Sequence, residues 1–403
     1  MGKRFNIRDG IRDTYFIWLR ELKDTFRDQG VIILFFVVPL FYPLLYTYFY
    51  NNEIAVKSKL VVVDMDHTDL SRKFIRMVNA TQGVDVVSVT VNANEAAEML
   101  KRKEAYAIAR IPNGFRKSIY EGKQTEVTLY SDLSSILYYK NFMLVLNDVS
   151  LKMGREFVKN HETDATGEQA EILIRPLPNK DIAYFNAASG YASFLMPVVL
   201  ILIIQQTMIM GVGMLAGTNR ERNRNHLLIS VASDVRGPLR IVFGKSIAYI
   251  MIYAIVCVWI LLAVPAIFDL PRLANPLTLA LFILPYLLAC TFFSLFISCF
   301  IRNREESMLL VAFSSLPFLF LTGIPWPTEA MPQFWQYFSQ LIPSTFGARG
   351  FVALNSMGAS MSIIANYHFM LWLQAGFYFI LSALGYAYQF KLRAKKIHIE
   401  EAK

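Results

Sequence analysis

Four residues that could bind a cation lie close together just after an apolar run at 60–63. They are Asp64, Asp66, His67 and Asp69. Carboxylate and imidazole groups are metal ligands, but this spacing fits no established ligand pattern. Acidic side chains in a strand-to-helix loop also cap the helix that follows. We therefore predict a helix cap and no metal site, with metal binding as the alternative.

The tripeptide Gly244-Lys245-Ser246 has the residue types that end a phosphate-binding loop. That motif requires four residues between its glycines, whereas six separate Gly237 from Gly244. No predicted strand precedes the tripeptide, and an apolar run follows it directly. The sequence offers no other candidate, so we predict that this chain has no catalytic residue and does not hydrolyse nucleotide.

Six long apolar runs dominate the chain. The sequence is 55% hydrophobic and 18% charged with a mean hydropathy of +0.37, too apolar for a soluble protein of this length. About 20 apolar residues in a helix span the ~30 Å hydrocarbon core. The runs lack Asp, Glu, Lys and Arg, which argues against ion-coupled carriers and intramembrane enzymes. The predicted spans are 31–50, 189–218, 246–268, 277–301, 307–324 and 367–390.

The distribution of Lys and Arg predicts the orientation. Both are frequent in residues 1–30, in the loop 219–245 and after residue 390, whereas the two short loops on the other face hold only Arg272 and Arg349. The positive-inside rule therefore places both termini in the cytoplasm. The net charge of +9 is a topology signal and does not indicate a nucleic-acid partner. The first run is too long for a cleaved signal peptide and is predicted to be an anchor.

The polar segment 51–188 has the pattern of a folded α/β domain. β-branched runs predict strands that alternate with amphipathic helices, and a long helix over roughly 134–160 follows. All three cysteines lie in apolar runs, so no disulfide is expected in this domain. The predicted strands are at 60–63, 84–91, 106–111 and 126–130.

Two segments on the predicted cytoplasmic side have amphipathic character. Residues 5–27 carry Tyr15, Trp18 and Leu22 at helical spacing, which is typical of a helix in the bilayer interface and also suits docking of a partner. The loop 219–245 combines a dense Arg/Glu/Asn stretch with an apolar one. It is either a basic membrane anchor or a binding element. Its candidate contact residues are Arg220, Glu221, Arg222, His226, Leu227 and Leu228.

Polar and helix-breaking residues mark two further places. Gln205, Gln206 and Thr207 lie near the middle of the second span, where they serve either helix packing or a translocation surface. The segment 324–350 is rich in proline and aromatic residues and is predicted to be an outer re-entrant segment that lines the mouth of a path. Its marked residues are Gly323, Pro325, Pro327, Pro332, Pro343 and Arg349.

Three stretches of the sequence belong together by their order relative to the spans. They are Arg220-Glu221-Arg222…Leu227-Leu228…Gly244-Lys245, Gly323…Pro327…Met331-Pro332…Pro343…Arg349-Gly350 and Val62-Val63-Asp64…Asp66…Leu70-Ser71-Arg72. Together they resemble permeases of the ABC-2 type of ABC exporters, in the subgroup with a large extracytoplasmic domain between the first and second spans. The match covers nearly the whole chain, although Thr322 and His226 depart from the residues usual there.

The resemblance implies a multi-pass protein of the bacterial inner membrane that exports a small molecule, lipid or drug. It implies a separate ABC ATP-binding subunit that carries ATP and Mg, and a second permease copy or paralogue. Membrane lipids are expected partners, and a periplasmic adaptor is a further candidate. Residues 5–27 would be the interface helix, and the 219–245 loop would couple to the ATPase, with Arg220, Glu221 and Arg222 in contact.

The expected fold class is an α-helical polytopic membrane protein with six spans, N-in and C-in, and an inserted α/β extracytoplasmic domain. A membrane-anchored receptor or structural protein without transport is the alternative function, and a membrane-embedded transferase is disfavoured. The expected order is an interface helix in 1–30, the first span 31–50, the external domain 51–188, a five-span domain 189–390 and a basic tail 391–403.

Overall fold

The computed structural model describes residues 7–50, 57–131, 136–161, 185, 190–222 and 236–401. The chain divides into two compact units. Met1–Asn51 and Tyr191–Lys403 form one, which we call the helical unit, and Asn52–Gly190 forms the other, the α/β unit.

Most elements of the described structure are helices, and after the second helix four strands alternate with short helices. The element order is α1 (Ile7–Arg27), α2 (Gln29–Tyr50), β1 (Ser58–Asp64), α3 (Asp69–Asn79), β2 (Val84–Thr90), α4 (Ala93–Lys101), β3 (Ala107–Ile111), α5 (Phe115–Tyr120), β4 (Thr128–Ser131), α6 (Ile136–His161), α7 (Tyr191–Glu221), α8 (Gly237–Ile267), α9 (Pro276–Ser298), α10 (Arg304–Leu321), α11 (Gln333–Ser339), α12 (Pro343–Phe351) and α13 (Ala365–Glu401).

The α/β unit contains a four-stranded sheet in the order β2-β1-β3-β4. β1 pairs in parallel with β2 and β3, while β4 is antiparallel to β3. Leu60 and Val62 pack under α3, α5 and α6, whereas Val61 and Val63 pack under α4. Helices thus cover both faces of β1, which explains why this strand is a continuous apolar run rather than an alternating one.

Five helices of the helical unit are long and apolar enough to cross a membrane, counted among the described residues. The sixth predicted span, 307–324, falls on α10, which has 18 residues and begins with the charged triplet Arg304, Glu305 and Glu306. The five helices are Gln29–Tyr50, Ala192–Glu221, Gly237–Ile267, Pro276–Ser298 and Ala365–Leu392. The chain is therefore a mostly helical, polytopic membrane protein with a small mixed sheet.

α7 is the central helix of this unit, with 94% of its most apolar stretch buried by α2, α9, α10, α12 and their neighbours. Small residues allow α10 to approach it closely. A Cβ on Gly213 would lie 2.3 Å from the Ser307 hydroxyl, and one on Gly217 would lie 2.7 Å from the backbone nitrogen of Arg304. These two glycines therefore allow α7 and α10 to pack closely within this chain.

Candidate functional site

α1 packs on α8 with its polar face inward. Ile17, Glu21 and Thr25 recur every fourth residue and are 1%, 3% and 0% exposed, whereas the apolar side chains of Ile11 and Tyr15, on another face of the helix, are 66% and 59% exposed. This outward apolar stripe is suited to a bilayer interface rather than to the protein core.

The reason for the inward polar face is a buried ion pair between α1 and α8. The Lys245 ammonium lies 2.7 Å from both carboxylate oxygens of Glu21, and the two side chains are 7% and 4% exposed. The Tyr249 hydroxyl, one helical turn further along α8, donates a hydrogen bond to the same carboxylate. Lys245 also lies 6.0 Å from the ring centroid of Tyr386 on α13. The Glu21 carboxylate thus joins α1 to α8, and Lys245 extends the contact to α13.

A second ion pair joins the start of α2 to α7 and α10. Two guanidinium nitrogens of Arg304 bind the two oxygens of Asp28 at 2.7 and 3.0 Å, and the Thr218 hydroxyl donates to Asp28 at 3.3 Å. Asp28 also caps α2 by accepting from the backbone nitrogens of Gly30 and Val31. Burial alone raises the pKa of Asp28, but the hydrogen bond from Arg304 and the other donors outweigh this and lower its pKa overall.

The predicted contact residues of the 219–245 loop lie in different environments. Arg220 donates to the terminal carbonyl groups of α9, at Ser298 (2.9 Å) and Cys299 (3.2 Å). Glu221 accepts the backbone N–H of Arg304 at 2.9 Å and so caps α10. Arg222 is exposed. His226, Leu227 and Leu228 lie outside the described residues.

These contacts bring together parts of seven helices, at what we call the basic end of the helical unit: the C-termini of α1, α7 and α9, the N-termini of α2, α8 and α10, and the C-terminal half of α13. Sequence reasoning found Arg220 and Glu221 here but missed Glu21, Asp28, Lys245 and Arg304. The sequence places Lys245 in the failed phosphate-loop motif and at the end of the first family-like stretch, and neither pattern indicates an acidic partner. The available signal was a lysine at the start of an apolar run together with acids on a helix just before another run.

The predicted interface residues of α1 differ in environment. Tyr15 is 59% exposed, while Trp18 and Leu22 are half-buried. The rings of Tyr15 and Trp18 lie 5.4 Å apart. The indole N–H of Trp18 is buried and has no acceptor within the described part of the chain.

The polar residues of α7 meet the proline-rich segment. Gln205 accepts a hydrogen bond from the backbone nitrogen of Ser344 at 2.7 Å, at the first turn of α12. Thr207 accepts from the Tyr253 hydroxyl at 2.9 Å and donates to the backbone of its own helix. Gln206 is 8% exposed, and neither polar atom of its amide has a partner among the described residues. An unpaired buried amide is costly and therefore invites a functional explanation.

The segment 324–350 consists largely of short helices. Pro332 directly precedes α11, and Pro343 opens α12, which is buried almost throughout. Gly323 adopts φ +81°, and Arg349 donates to the carbonyl group of Thr322 at 2.7 Å, which closes the end of α10. Pro325 and Pro327 lie in the turn between, beside Trp326, which is 53% exposed.

The acidic cluster after β1 is a hydrogen-bonded loop. Asp64 accepts from the backbone nitrogens of Asp66 and His67, both at 3.1 Å, and from the Ser71 hydroxyl at 2.8 Å. The residue that caps α3 is Thr68 rather than an acid, and Asp66 binds the Thr68 hydroxyl at 2.6 Å. Within the described residues no group of three or more His, Cys, Asp or Glu could hold a metal ion.

The long apolar helices, whose ends are joined by ion pairs and hydrogen bonds, define a multi-pass membrane protein. The chain belongs to the ABC-2 transporter family, because the family described as "ABC-2 family transporter protein" matches residues 30–384. It is also similar to the linearmycin resistance permease protein LnrN of Bacillus subtilis (strain 168). The two are 22% identical over 362 residues, which cover 84% of this chain and 89% of the relative. The chain is thus a transmembrane permease component of an ABC transporter, a family that implies an ATP-binding partner.

Proposed function

We propose that this chain is the permease of an ATP-driven exporter and that its substrate is a toxic small molecule. The substrate class is supported by the relative that is named a resistance permease. The proposed location is the bacterial inner membrane, with both termini in the cytoplasm and the α/β unit on the outer side. The proposed number of spans is six, including the short α10. ATP and Mg are bound by the partner subunit.

The observation that carries this proposal is the buried Glu21–Lys245 pair with its Tyr249 hydrogen bond. Because the pair fixes α1 to α8, a force applied to α1 at the cytoplasmic surface moves a spanning helix. Asp28 with Arg304 extends the same connection to α7 and α10. An ATPase dimer that closes on nucleotide can therefore bias the packing of several spans at once.

The ATPase contacts are proposed to lie on the exposed side of α1, at Tyr15, Trp18 and Leu22, and on the 219–245 loop, with Arg222 and the apolar residues after it. Arg220 and Glu221 would act partly through α9 and α10, whose ends they bind. The basic side chains of the loop suit charge-assisted contacts with acidic groups of the partner.

The transport path is proposed to run along α7. Gln205 already joins this helix to the outer segment through Ser344, so that a shift of α7 reaches the outer mouth. The unpaired amide of Gln206 is the proposed substrate contact. A second permease copy or paralogue completes the path, and an adaptor on the outer side remains a candidate partner.

The experiment that tests the function uses a strain without this chain and its ATPase. Expression of both genes should restore resistance to linearmycin or a related toxic compound, and expression with an ATPase that cannot hydrolyse ATP should not. The purified ATPase subunit should hydrolyse ATP faster when the permease is added than when it is alone. A membrane-anchored receptor predicts neither result, and absence of both would reject the exporter proposal.

A further inference from the structure

The corner between α11 and α12, residues 340–344, lies at the depth of the middle of the spanning helices. Tyr378 of α13 donates to the carbonyl group of Leu341, and Gln205 of α7 accepts from the backbone nitrogen of Ser344. At ~1.5 Å per residue, Gln205 and Tyr378 are each within about 5 Å of the middle of the apolar parts of α7 and α13. α12 therefore begins inside the membrane, and this depth is the same for either orientation of the chain.

From this corner α12 runs antiparallel to α9. Gly347 packs against the ring of Tyr286, and Gly350 packs against the ring of Phe282, one turn nearer the start of α9. α12 has nine residues, so it reaches only part of the way across a membrane. Its first turn therefore presents backbone N–H groups and the positive end of the helix dipole to the membrane interior.

Two buried side chains at this N-terminus have hydrogen-bonding atoms without partners. Gln205 and Ser344 are both 0% exposed. The Gln205 oxygen accepts the Ser344 N–H at 2.7 Å, which places the Nε2 group of the same amide beside the start of α12. Neither this Nε2 group nor the Ser344 hydroxyl has a partner among the described residues. Because buried donors are normally paired, these two indicate an acceptor that binds here.

The charges around the N-terminus of α12 favour an uncharged acceptor over an anion. A helix dipole is equivalent to about half an elementary charge. The neighbouring Tyr286 and Cys290 are uncharged, and the guanidinium group of Arg349 is at the other end of α12, where it binds Thr322. A buried anion would thus keep much of its charge uncompensated, which is costly. An uncharged carbonyl oxygen needs only donors, and α12 already binds one such oxygen, that of Gln205.

From these features we propose that Gln205, Ser344 and the N-terminus of α12 bind an uncharged carbonyl oxygen of the exported molecule. The Gln205 Nε2 group and the Ser344 hydroxyl donate to this oxygen. The substrate class is then a neutral, largely apolar molecule with a ketone, ester or amide group. That the ligand is the exported molecule rests on the proposed function, whereas binding of the carbonyl oxygen does not.

Both side chains are fully buried, so a ligand reaches them only when α7 and α12 separate. The proposed shift of α7 during transport provides this separation. Binding should therefore be stronger while the permease passes through its transport cycle than while it is at rest.

The test uses benzophenone, an uncharged apolar ketone that inserts into neighbouring C–H bonds under ultraviolet light. Because the carbonyl carbon is the reacting atom, the labelled residues report where the carbonyl group lies. The permease is labelled in nanodiscs, alone and together with its ATPase subunit and ATP. We expect saturable insertion into peptides of α7, α9 and α12 around Gln205 and Ser344, measured by mass spectrometry.

Three competitors with two phenyl rings each define the group that is recognised. Phenyl benzoate has an uncharged carbonyl group, diphenylmethane has no oxygen, and diphenylacetate carries a carboxylate. Phenyl benzoate should suppress the insertion of benzophenone at a lower concentration than either of the other two.

One variant removes a donor without removing a hydrogen bond of the described structure. Ser344→Ala should leave the fold unchanged, since the Ser344 hydroxyl has no partner there. It should raise the half-saturating concentration of benzophenone about two- to tenfold, the range expected for one hydrogen bond. Ser382→Ala is the matched control. It removes another fully buried hydroxyl, which binds the carbonyl group of Phe379 in its own helix, and it should not change the labelling.

Three results would overturn the proposal: the same half-saturating concentration in Ser344→Ala as in Ser382→Ala, equal suppression by phenyl benzoate and diphenylmethane, or no saturable insertion at the site in either preparation. Stronger suppression by diphenylacetate would also overturn it, because the site would then select anions. Failure of the export function gives a different result. Insertion that depends on Ser344, in a permease that confers no resistance and does not stimulate its ATPase, would support the site and reject export.

Discussion

Glu21 and Lys245 are 224 positions apart in the sequence, yet their charged groups are 2.7 Å apart in a setting where both side chains are less than a tenth exposed. The Tyr249 hydroxyl donates to the same carboxylate, so Glu21 accepts hydrogen bonds from two side chains of α8. Two charges removed from water are stabilised only when they remain together. The pair therefore holds α1 against α8. Its loss should lower both the stability of the fold and the proposed coupling of α1 to the spanning helices.

Removal of one partner should be far more damaging than removal of both. Lys245→Met leaves the Glu21 carboxylate buried and uncompensated, and is expected to cost about 3–5 kcal/mol of unfolding free energy. The double variant Glu21→Leu with Lys245→Met should recover most of this loss. Thermal unfolding in detergent measures both. Lys23→Met removes a charge from the exposed side of the same helix and is the matched control. If the double variant lost as much unfolding free energy as the sum of the two single variants, Glu21 and Lys245 would not stabilise each other.

The contribution of Asp28 should depend on pH in the acid range. Its pKa is lower in the folded protein than the ordinary value of 3.8. The unfolded chain therefore takes up this proton first, and the stability from Asp28 is fully present above pH 3.8 and lost as the pH falls through the lowered folded pKa. The difference in unfolding temperature between the native protein and Asp28→Asn should stay constant from neutral pH to about pH 5 and shrink below pH 3.8. A difference that grows on acidification would show the opposite sign of shift.

The close approach of α10 to α7 should make Gly217 intolerant of a side chain. A Cβ there would lie 2.7 Å from two backbone atoms of residues 303 and 304, which cannot rotate away. Gly217→Ala is expected to cost about 1–3 kcal/mol through displacement of α10. Gly376→Ala is the matched control, because no atom lies within 4 Å of its Cβ position and alanine favours the helix. Equal stability of the two variants would mean that α10 moves aside freely.

How far the sequence predicts this structure depends on the range of the interactions involved. Apolar runs mark the spans because hydropathy is a local property, and α10 is the exception because its first turn is charged. Strands of the α/β unit follow from β-branched runs for the same reason. The inward face of α1 could not be predicted, since Glu21 is buried only because Lys245 meets it from a distant segment. Likewise, Glu221 has the composition of a surface contact, and only the fold reveals that it caps α10.

The proposed coupling role of the 219–245 loop can be tested separately from the contacts by which Arg220 and Glu221 hold α9 and α10. Arg222 is exposed, so Arg222→Ala should lower permease-stimulated ATP hydrolysis while the unfolding temperature stays unchanged. Glu221→Ala should lower both, because it also removes the acceptor for the Arg304 backbone N–H. Glu221→Lys adds a charge that repels the donor side of that cap. If complex formation and stimulated hydrolysis are unchanged in Glu221→Lys and in Arg222→Ala, the coupling role of this loop is wrong.

Two adjacent glutamines of α7 should respond oppositely to the same substitution. Gln205→Leu leaves the buried Ser344 N–H without an acceptor and is expected to cost about 1–3 kcal/mol. Gln206→Leu removes an amide that is unpaired in the described structure, so stability should be unchanged or rise. If the Gln206 amide contacts substrate, as proposed, the same change should lower the resistance that the permease confers on cells at equal protein level. Gln206→Asn retains an amide and should keep part of the resistance. Full resistance in Gln206→Leu would remove this residue from the transport path, whereas a loss of stability would show that its amide is paired within the protein.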